Sequence, residues 1–182
     1  MSDLPLPELR ADCGACSALC CVVLPFDADQ GFGFDKEANT PCSHLCADFS
    51  CGIHARLVEE GFTGCTRYDC HGAGQRTTRL FAEVNWQAAP EHAEEIFRVF
   101  STLQQLHGQQ ALLALALGRV AAAPLRERLL ERQQQLEALC RQAERQEPVA
   151  LDAVQTATRR LLQQLASEPA IIALRTFPAR EP

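Results

Sequence analysis

Cys13-Gly-Ala-Cys16-Ser-Ala-Leu-Cys20-Cys21 opens the stretch that decides how the first half of this 182-residue chain is built. Two thiols spaced C-x-x-C converge on one ion from a tight turn, and ligands from later loops close a tetrahedral site. Four thiolates equally hold an iron–sulfur cluster, which tolerates varied spacings. Further thiols follow in Pro41-Cys42, Cys51-Gly-Ile-His54, Gly64-Cys65 and Tyr68-Asp69-Cys70. Their density predicts that Cys13, Cys16, Cys20, Cys21, Cys42, Cys51, Cys65 and Cys70 are metal ligands, leaving Cys46 and Cys140 over. Adjacent side chains on extended backbone point to opposite faces, so Cys20 and Cys21 do not easily serve one mononuclear ion. Eight thiolates therefore suit two four-thiolate centres.

Metal rather than disulfide is the expectation because of compartment. The start, Met1-Ser2-Asp3-Leu4-Pro5, lacks the basic segment and apolar stretch of a secretion signal, which predicts a cytoplasmic chain. Under reducing conditions stable disulfides are rare, and clustered thiols more often bind metal. Nine of the ten cysteines lie between Cys13 and Cys70. They make up roughly 15% of that stretch, above the level of about 8–10% that marks a cysteine-stapled scaffold. The longest apolar run, Ala111 to Leu117, is far short of the roughly 20 residues that cross a bilayer, so no membrane span is expected.

Charge divides the chain at Gly74. Up to that residue eleven acids face four bases, and beyond it thirteen arginines alternate with twelve acids. Neither half carries the basic stripe of a nucleic-acid binder. The first 74 residues are rich in Gly, Pro, Asp and Cys and read as loops, turns and a short hairpin. The expected fold is mainly α: an irregular cysteine-rich metal-binding module over 1–74, followed by a small antiparallel helical bundle over 75–182.

Four helices are expected there. The first opens at Pro90 and places Ala93, Ile96, Phe97, Phe100, Leu103 and His107 on one stripe. A second runs from about Gln109 to Ala121. The third starts at Pro124, with Leu125, Leu129, Leu136, Leu139 and Ala143 inward and Glu127, Glu131 and Arg132 outward. The fourth follows Pro148 and aligns Leu151, Val154, Thr158, Leu161, Leu162 and Leu165. Short joints at Gly108, Pro124 and Pro148 predict antiparallel neighbours.

The cysteine pattern resembles the YkgJ-like cysteine-cluster family, described as zinc- or iron-chelating. The matching features are the opening C-x-x-C with its following Cys20-Cys21 pair, Pro41 to Leu45, Cys51 to Ile53, and Cys65 followed by the aromatic Tyr68. The chain is also similar to the N-terminal region of actinobacterial pentapeptide-repeat proteins. The shared phrases are Ala18 to Phe26, Asp48 to His54, Gly61 to Cys65, Tyr68 to Gln75 and Trp86 to Pro90. Five-residue repeats do not follow Pro148. These resemblances imply metal binding and no particular reaction.

The functional expectation is a cysteine-cluster metalloprotein carrying an iron–sulfur cluster, [4Fe–4S] in preference to zinc, with a redox or sensing role. One alternative is a structural zinc module whose helices offer a surface to a protein partner. A second is a thiol-dependent oxidoreductase in which His71 activates Cys65 or Cys70. No substrate pocket is legible, so catalytic residues stay unassigned. His54 and His71 read either as ligands or as loop histidines bonded to backbone, and His92 with Glu94 and Glu95 as a solvated face. Gly72-Ala-Gly74-Gln75 reads as a turn leading away from Cys70, and Tyr68 and Trp86 as caps on the joint between the two halves. Cys140, beside Leu136 and Leu139, is expected in the core.

Overall fold

A computed structural model describes residues 8–166. Met1 to Pro5, the beginning of the expected cysteine-rich unit, and 167–182, the end of the helical one, lie outside the described residues. The chain is mainly helical, with six α-helices among the described residues: α1 (Leu19–Val23), α2 (Thr63–Arg67), α3 (Ala73–Leu80), α4 (Ala93–Leu117), α5 (Ala123–Glu144) and α6 (Leu151–Ala166). Four 3-10 turns punctuate them, at Cys13–Ala15, Ala28–Gln30, His54–Arg56 and Pro90–His92. The expected hairpin is absent among the described residues, where pairing is limited to the isolated bridges Phe26↔Lys36 and Leu45↔Cys51. Glycines and prolines at short intervals leave no run long enough for a ladder.

α4 is one continuous helix, which corrects the expected break at Gly108 and the separate helix from Gln109 to Ala121. A lone glycine costs a helix interior only about 1 kcal/mol. The burial of Leu106, His107, Gln109, Gln110 and Leu113 on both sides of it outweighs that. A Cβ at Gly108 would meet nothing within 4 Å, so glycine there serves no close approach.

The Gly72-Ala-Gly74-Gln75 phrase is also not a simple turn. Gly72, at φ 84°, precedes α3, and the other three residues form its first turn. Ala73, Gly74 and Gln75 are all buried. The division expected at residue 74 thus falls inside a helix. Cys20 and Cys21 lie in α1 rather than in extended chain, so their side chains diverge by about 100° of helical turn instead of opposing each other.

One large core joins Leu19, Val22 and Val23 of α1 and Ala73 of α3 to Ile96, Phe100, Leu103 and Leu113 of α4, Leu129 and Leu136 of α5, and Val154 and Leu165 of α6. α4 and α5 run antiparallel, as shown by Gln110 meeting Glu137 and Arg126 meeting Leu117. Arg132, expected on an exposed face, is half-buried instead. Its guanidinium donates to the Val154 carbonyl at 2.7 Å and to the Thr158 hydroxyl, tying α5 to α6. A second, smaller core gathers Phe26, Cys42, Ile53 and Phe62 with Phe32, Phe34 and Leu57 against it. Phe26 stacks on Phe32 at 4.5 Å, and Phe62 meets Phe34 edge-on at 5.4 Å.

Candidate metal centre

The two cores divide the cysteines between them. Cys16, Cys20 and Cys70 pack into the large core, whereas Cys21, Cys42, Cys51 and Cys65 pack into the aromatic one. Cys13 stands exposed in the 3-10 turn that leads into Cys16, whose backbone N–H donates to the Cys13 carbonyl at 3.4 Å.

α3 organises the first neighbourhood. The buried Gln75 accepts from the Asp12 N–H at 3.2 Å and donates to the Arg10 carbonyl at 2.7 Å, which fixes the approach to Cys13. Thr78 accepts the Ser17 N–H at 2.9 Å. Gly74 lets α3 lie close on two thiols: a Cβ there would lie 2.7 Å from the Cys16 sulfur and 3.5 Å from that of Cys70. Burial pushes the Cys16 thiol up. The N–H groups of Leu19 and Ala18 and the Thr78 hydroxyl favour its ionised form. Burial, then the charges at Cys70, Cys21, Asp12 and Asp69, also raise Cys13.

The second neighbourhood is held by backbone. The Cys42 N–H donates to the Cys21 carbonyl at 2.9 Å, and Leu45 bridges Cys51. Burial first, and then the neighbouring charges of Cys21, Cys42 and Cys51, push the Cys65 thiol up to about 11. Burial raises Cys42 in the same way, against a favourable bond from the His44 backbone.

Cys20 and Cys21 join the two neighbourhoods, their sulfurs 4.0 Å apart. The two thiols share one hydrogen bond, in which either sulfur can donate. That bond raises Cys20 well above the usual thiol range and lowers Cys21, with Lys36 favouring the Cys21 thiolate further.

Lys36 is the residue that sequence reasoning missed. It is 8% exposed, and its ammonium donates to the carbonyls of Val22, Leu24, Glu37 and Thr40 at 2.5–3.1 Å while lying 4.6 Å from the Phe26 ring centre. Burial lowers its pKa, and the thiols of Cys42, Cys21 and Cys20 oppose that shift. It is the chain's one lysine, in a half with few bases. That rarity is the signal that composition offered.

Donor chemistry fits a metal or cluster: three thiols against the large core with Cys13 in the turn beside them, four against the aromatic core, and N–H groups at Cys16. Among the described residues, no three His, Cys, Asp or Glu side chains stand at the spacing of a closed ligand set. A metal binds thiols as thiolates and displaces their protons.

The remaining candidates are placed as follows. His54 is exposed. The His71 N–H donates to the Asp69 carboxylate at 2.7 Å, its ring lies 3.8 Å from the same group, and its carbonyl accepts from His107 Nδ1 at 2.6 Å. His107 Nε2 lies 3.3 Å from the Arg76 guanidinium, which can only donate, so the ring is neutral with its proton on Nδ1. Burial, with the Arg76 charge, accordingly lowers its pKa against the pull of the His71 carbonyl. Cys70 is buried, and Cys65 is raised chiefly by burial.

Trp86 bridges the halves, donating to the Ser17 carbonyl at 2.9 Å and meeting Phe49 and Phe97 at 5.7 and 5.4 Å. Burial, and then the charges of Cys20 and Cys70, raise the Tyr68 phenol. Cys46 sits at a turn, its sulfur 4.0 Å from the His44 carbonyl. Cys140 is fully buried and pushed up to about 12, chiefly by burial. His92 and Glu94 are exposed, while Glu95 accepts from Gln146. No helix among the described residues is long and apolar enough to cross a membrane.

The chain is 41% identical over 135 residues to a Bacillus subtilis (strain 168) protein described as "Uncharacterized protein YybG". The match takes in 74% of this chain and 48% of YybG, so the chain spans about half the length of that curated relative. No family model matches the chain. No solved structure matches it either.

Proposed function

We propose that this chain is a cytoplasmic cysteine-cluster metalloprotein in which Cys13, Cys16, Cys20, Cys21, Cys42, Cys51, Cys65 and Cys70 bind metal. The metal is carried as [4Fe–4S] in preference to zinc, in a redox or sensing role. The observation that supports it most is the gathering of seven of these thiols against two cores, Cys16, Cys20 and Cys70 on one and Cys21, Cys42, Cys51 and Cys65 on the other.

In this reading the chain is a YkgJ-like cysteine module set on a helical bundle, similar to the front of pentapeptide-repeat proteins without the repeats. A bound cluster supplies an electron store whose potential follows net charge, hydrogen bonds to sulfur and solvent exposure. The protein's own part is to supply those three: Lys36 as charge, the Leu19 and Ala18 N–H groups as donors, and an exposed Cys13 as contact with solvent.

The test is anaerobic purification with iron, sulfide and zinc analysis and a visible spectrum. A brown, air-sensitive product with a broad band near about 400 nm is expected. Colourless protein with roughly two zinc per chain and no iron or sulfide would replace the iron–sulfur assignment with the structural zinc one. Protein that binds neither metal under these conditions would reject the metalloprotein reading.

A further inference from the structure

Eight thiols can serve one polynuclear centre, two separate centres, or one centre with spare ligands. The packing distinguishes these. Cys20 and Cys21 are consecutive residues of α1, yet one side chain enters the large core beside Cys16 and Cys70 and the other enters the aromatic core beside Cys42, Cys51 and Cys65. A Cβ at Gly74 would meet the sulfurs of Cys16 and Cys70, which places these two thiols together against α3. The Cys42 N–H bonds to the Cys21 backbone, a tie within the other set. Cys13 reaches the first set through its C-x-x-C turn, packed on α3 beside the Gln75 clamp.

Charge separates the sets in the same way. Four thiolates around Zn²⁺, or around an oxidised four-iron cluster, leave about −2. Such a charge in a buried site calls for a counter-charge or for solvent. The aromatic site has Lys36, whose carbonyl partners Val22 and Thr40 lie next to Cys21 and two residues before Cys42. The other site has the carboxylates of Asp12 and Asp69 near Cys13 instead, and opens to water through that exposed residue.

We propose that the chain holds two distinct four-thiolate centres, one on Cys13, Cys16, Cys20 and Cys70 and one on Cys21, Cys42, Cys51 and Cys65, with Lys36 as the built-in counter-charge of the second. The proposal rests on the metalloprotein reading above and assigns the ligands within it. The vicinal pair places the centres side by side, separated by one peptide unit. Because reduction adds negative charge, the centre beside Lys36 has the higher potential.

The test combines ligand variants of the full-length chain, purified anaerobically, with iron and sulfide analysis and electron paramagnetic resonance after reduction by dithionite. Cys13→Ser with Cys20→Ser removes half of the metal, and so does Cys21→Ser with Cys65→Ser. Cys13→Ser with Cys21→Ser removes all of it, because each substitution opens a different centre. Wild-type protein shows two magnetically interacting signals, and either same-centre pair leaves one without the interaction. Lys36→Met lowers the potential of the signal that survives in the Cys13/Cys20 variant by more than it lowers the other.

Loss of all metal from both same-centre pairs, or half retention in the mixed pair, would overturn the assignment. Since a ligand variant can also unfold the module, unmodified metal-free protein is titrated with cobalt(II) alone. Two equivalents taken up with sulfur-to-cobalt charge-transfer absorption are expected, and saturation at one equivalent would overturn the two-centre arrangement. If cobalt, iron and zinc all fail to bind the wild-type chain, it is the metalloprotein reading that falls.

Discussion

Gly74 and Arg76 sit two residues apart on α3, and each takes its importance from what it touches. Alanine at Gly74 would place a methyl 2.7 Å from the Cys16 sulfur, tighter than carbon and sulfur allow. Gly74→Ala is expected to reduce bound metal by about half while destabilising the fold by about 1–3 kcal/mol, as overpacked sites do. Metal analysis beside a urea melt checks both. Arg76 is held by Glu137 through paired bonds at 2.9 and 3.0 Å and by Glu144 at 2.7 Å. Although burial pushes the Glu137 carboxyl up, Arg76, Gln110 and Arg141 hold it below its ordinary 4.5. Its folded-state pKa is therefore depressed. The stability it contributes is present above about pH 4.5 and is lost as pH falls through the lower folded value. Urea melts between pH 6 and 3 are expected to show this loss, with a shallower decline in Glu137→Gln. At this scale the eight thiols were legible as density. Lys36 was legible only as the chain's one lysine, because its four carbonyl partners come together only in the folded chain.

Two elements differ from what their sequences suggest, both at glycine. In α4, Gly108 was read as a joint because glycine often ends helices, but no proline or polar cluster follows it to stop the chain, and the buried stripe continues through Gln110, Leu113 and Leu117. Its position in open space gives a direct check. Gly108→Ala is expected to stabilise the protein by about 1 kcal/mol, since it removes backbone freedom from the unfolded chain and meets no neighbour. A raised melting temperature with unchanged metal content would show it, whereas destabilisation would place a bend at that residue. In α3, two glycines within three residues hid a helix whose start is governed by a left-handed Gly72. The burial pattern of α5 and α6 was legible because leucines at three- and four-residue spacing have few other uses. Leu129, Leu136 and Ala143 are buried, as are Val154, Thr158 and Leu165. The side to which α1 turns Cys20 and Cys21 was not legible, since it depends on two cores that meet only in the folded molecule.

In the proposed reading, the whole molecule couples a metal-dependent half to a hydrophobic one. The first half must order many loop residues at roughly 1–2 kcal/mol each, and its aromatic core is small. α4, α5 and α6 share long apolar stripes that need no metal. Chelation is therefore expected to release amides from Lys36 to Cys70 to fast hydrogen exchange while helical circular dichroism stays largely intact. Because α1 and α3 enter the same core as α4, exchange is expected to spread to them before it reaches α5. Slow exchange retained around Cys42 to Cys70 after chelation would make the metal an accessory on a preformed fold. The central claim is that this chain is built around two four-thiolate centres. It is tested most directly by the native mass of the full-length protein, sprayed from anaerobic buffer without reconstitution. The mass is expected to exceed that of the sequence by two four-iron, four-sulfide increments. A mass equal to the bare chain with ten free thiols, in protein that also takes up no metal when offered it, would contradict the account.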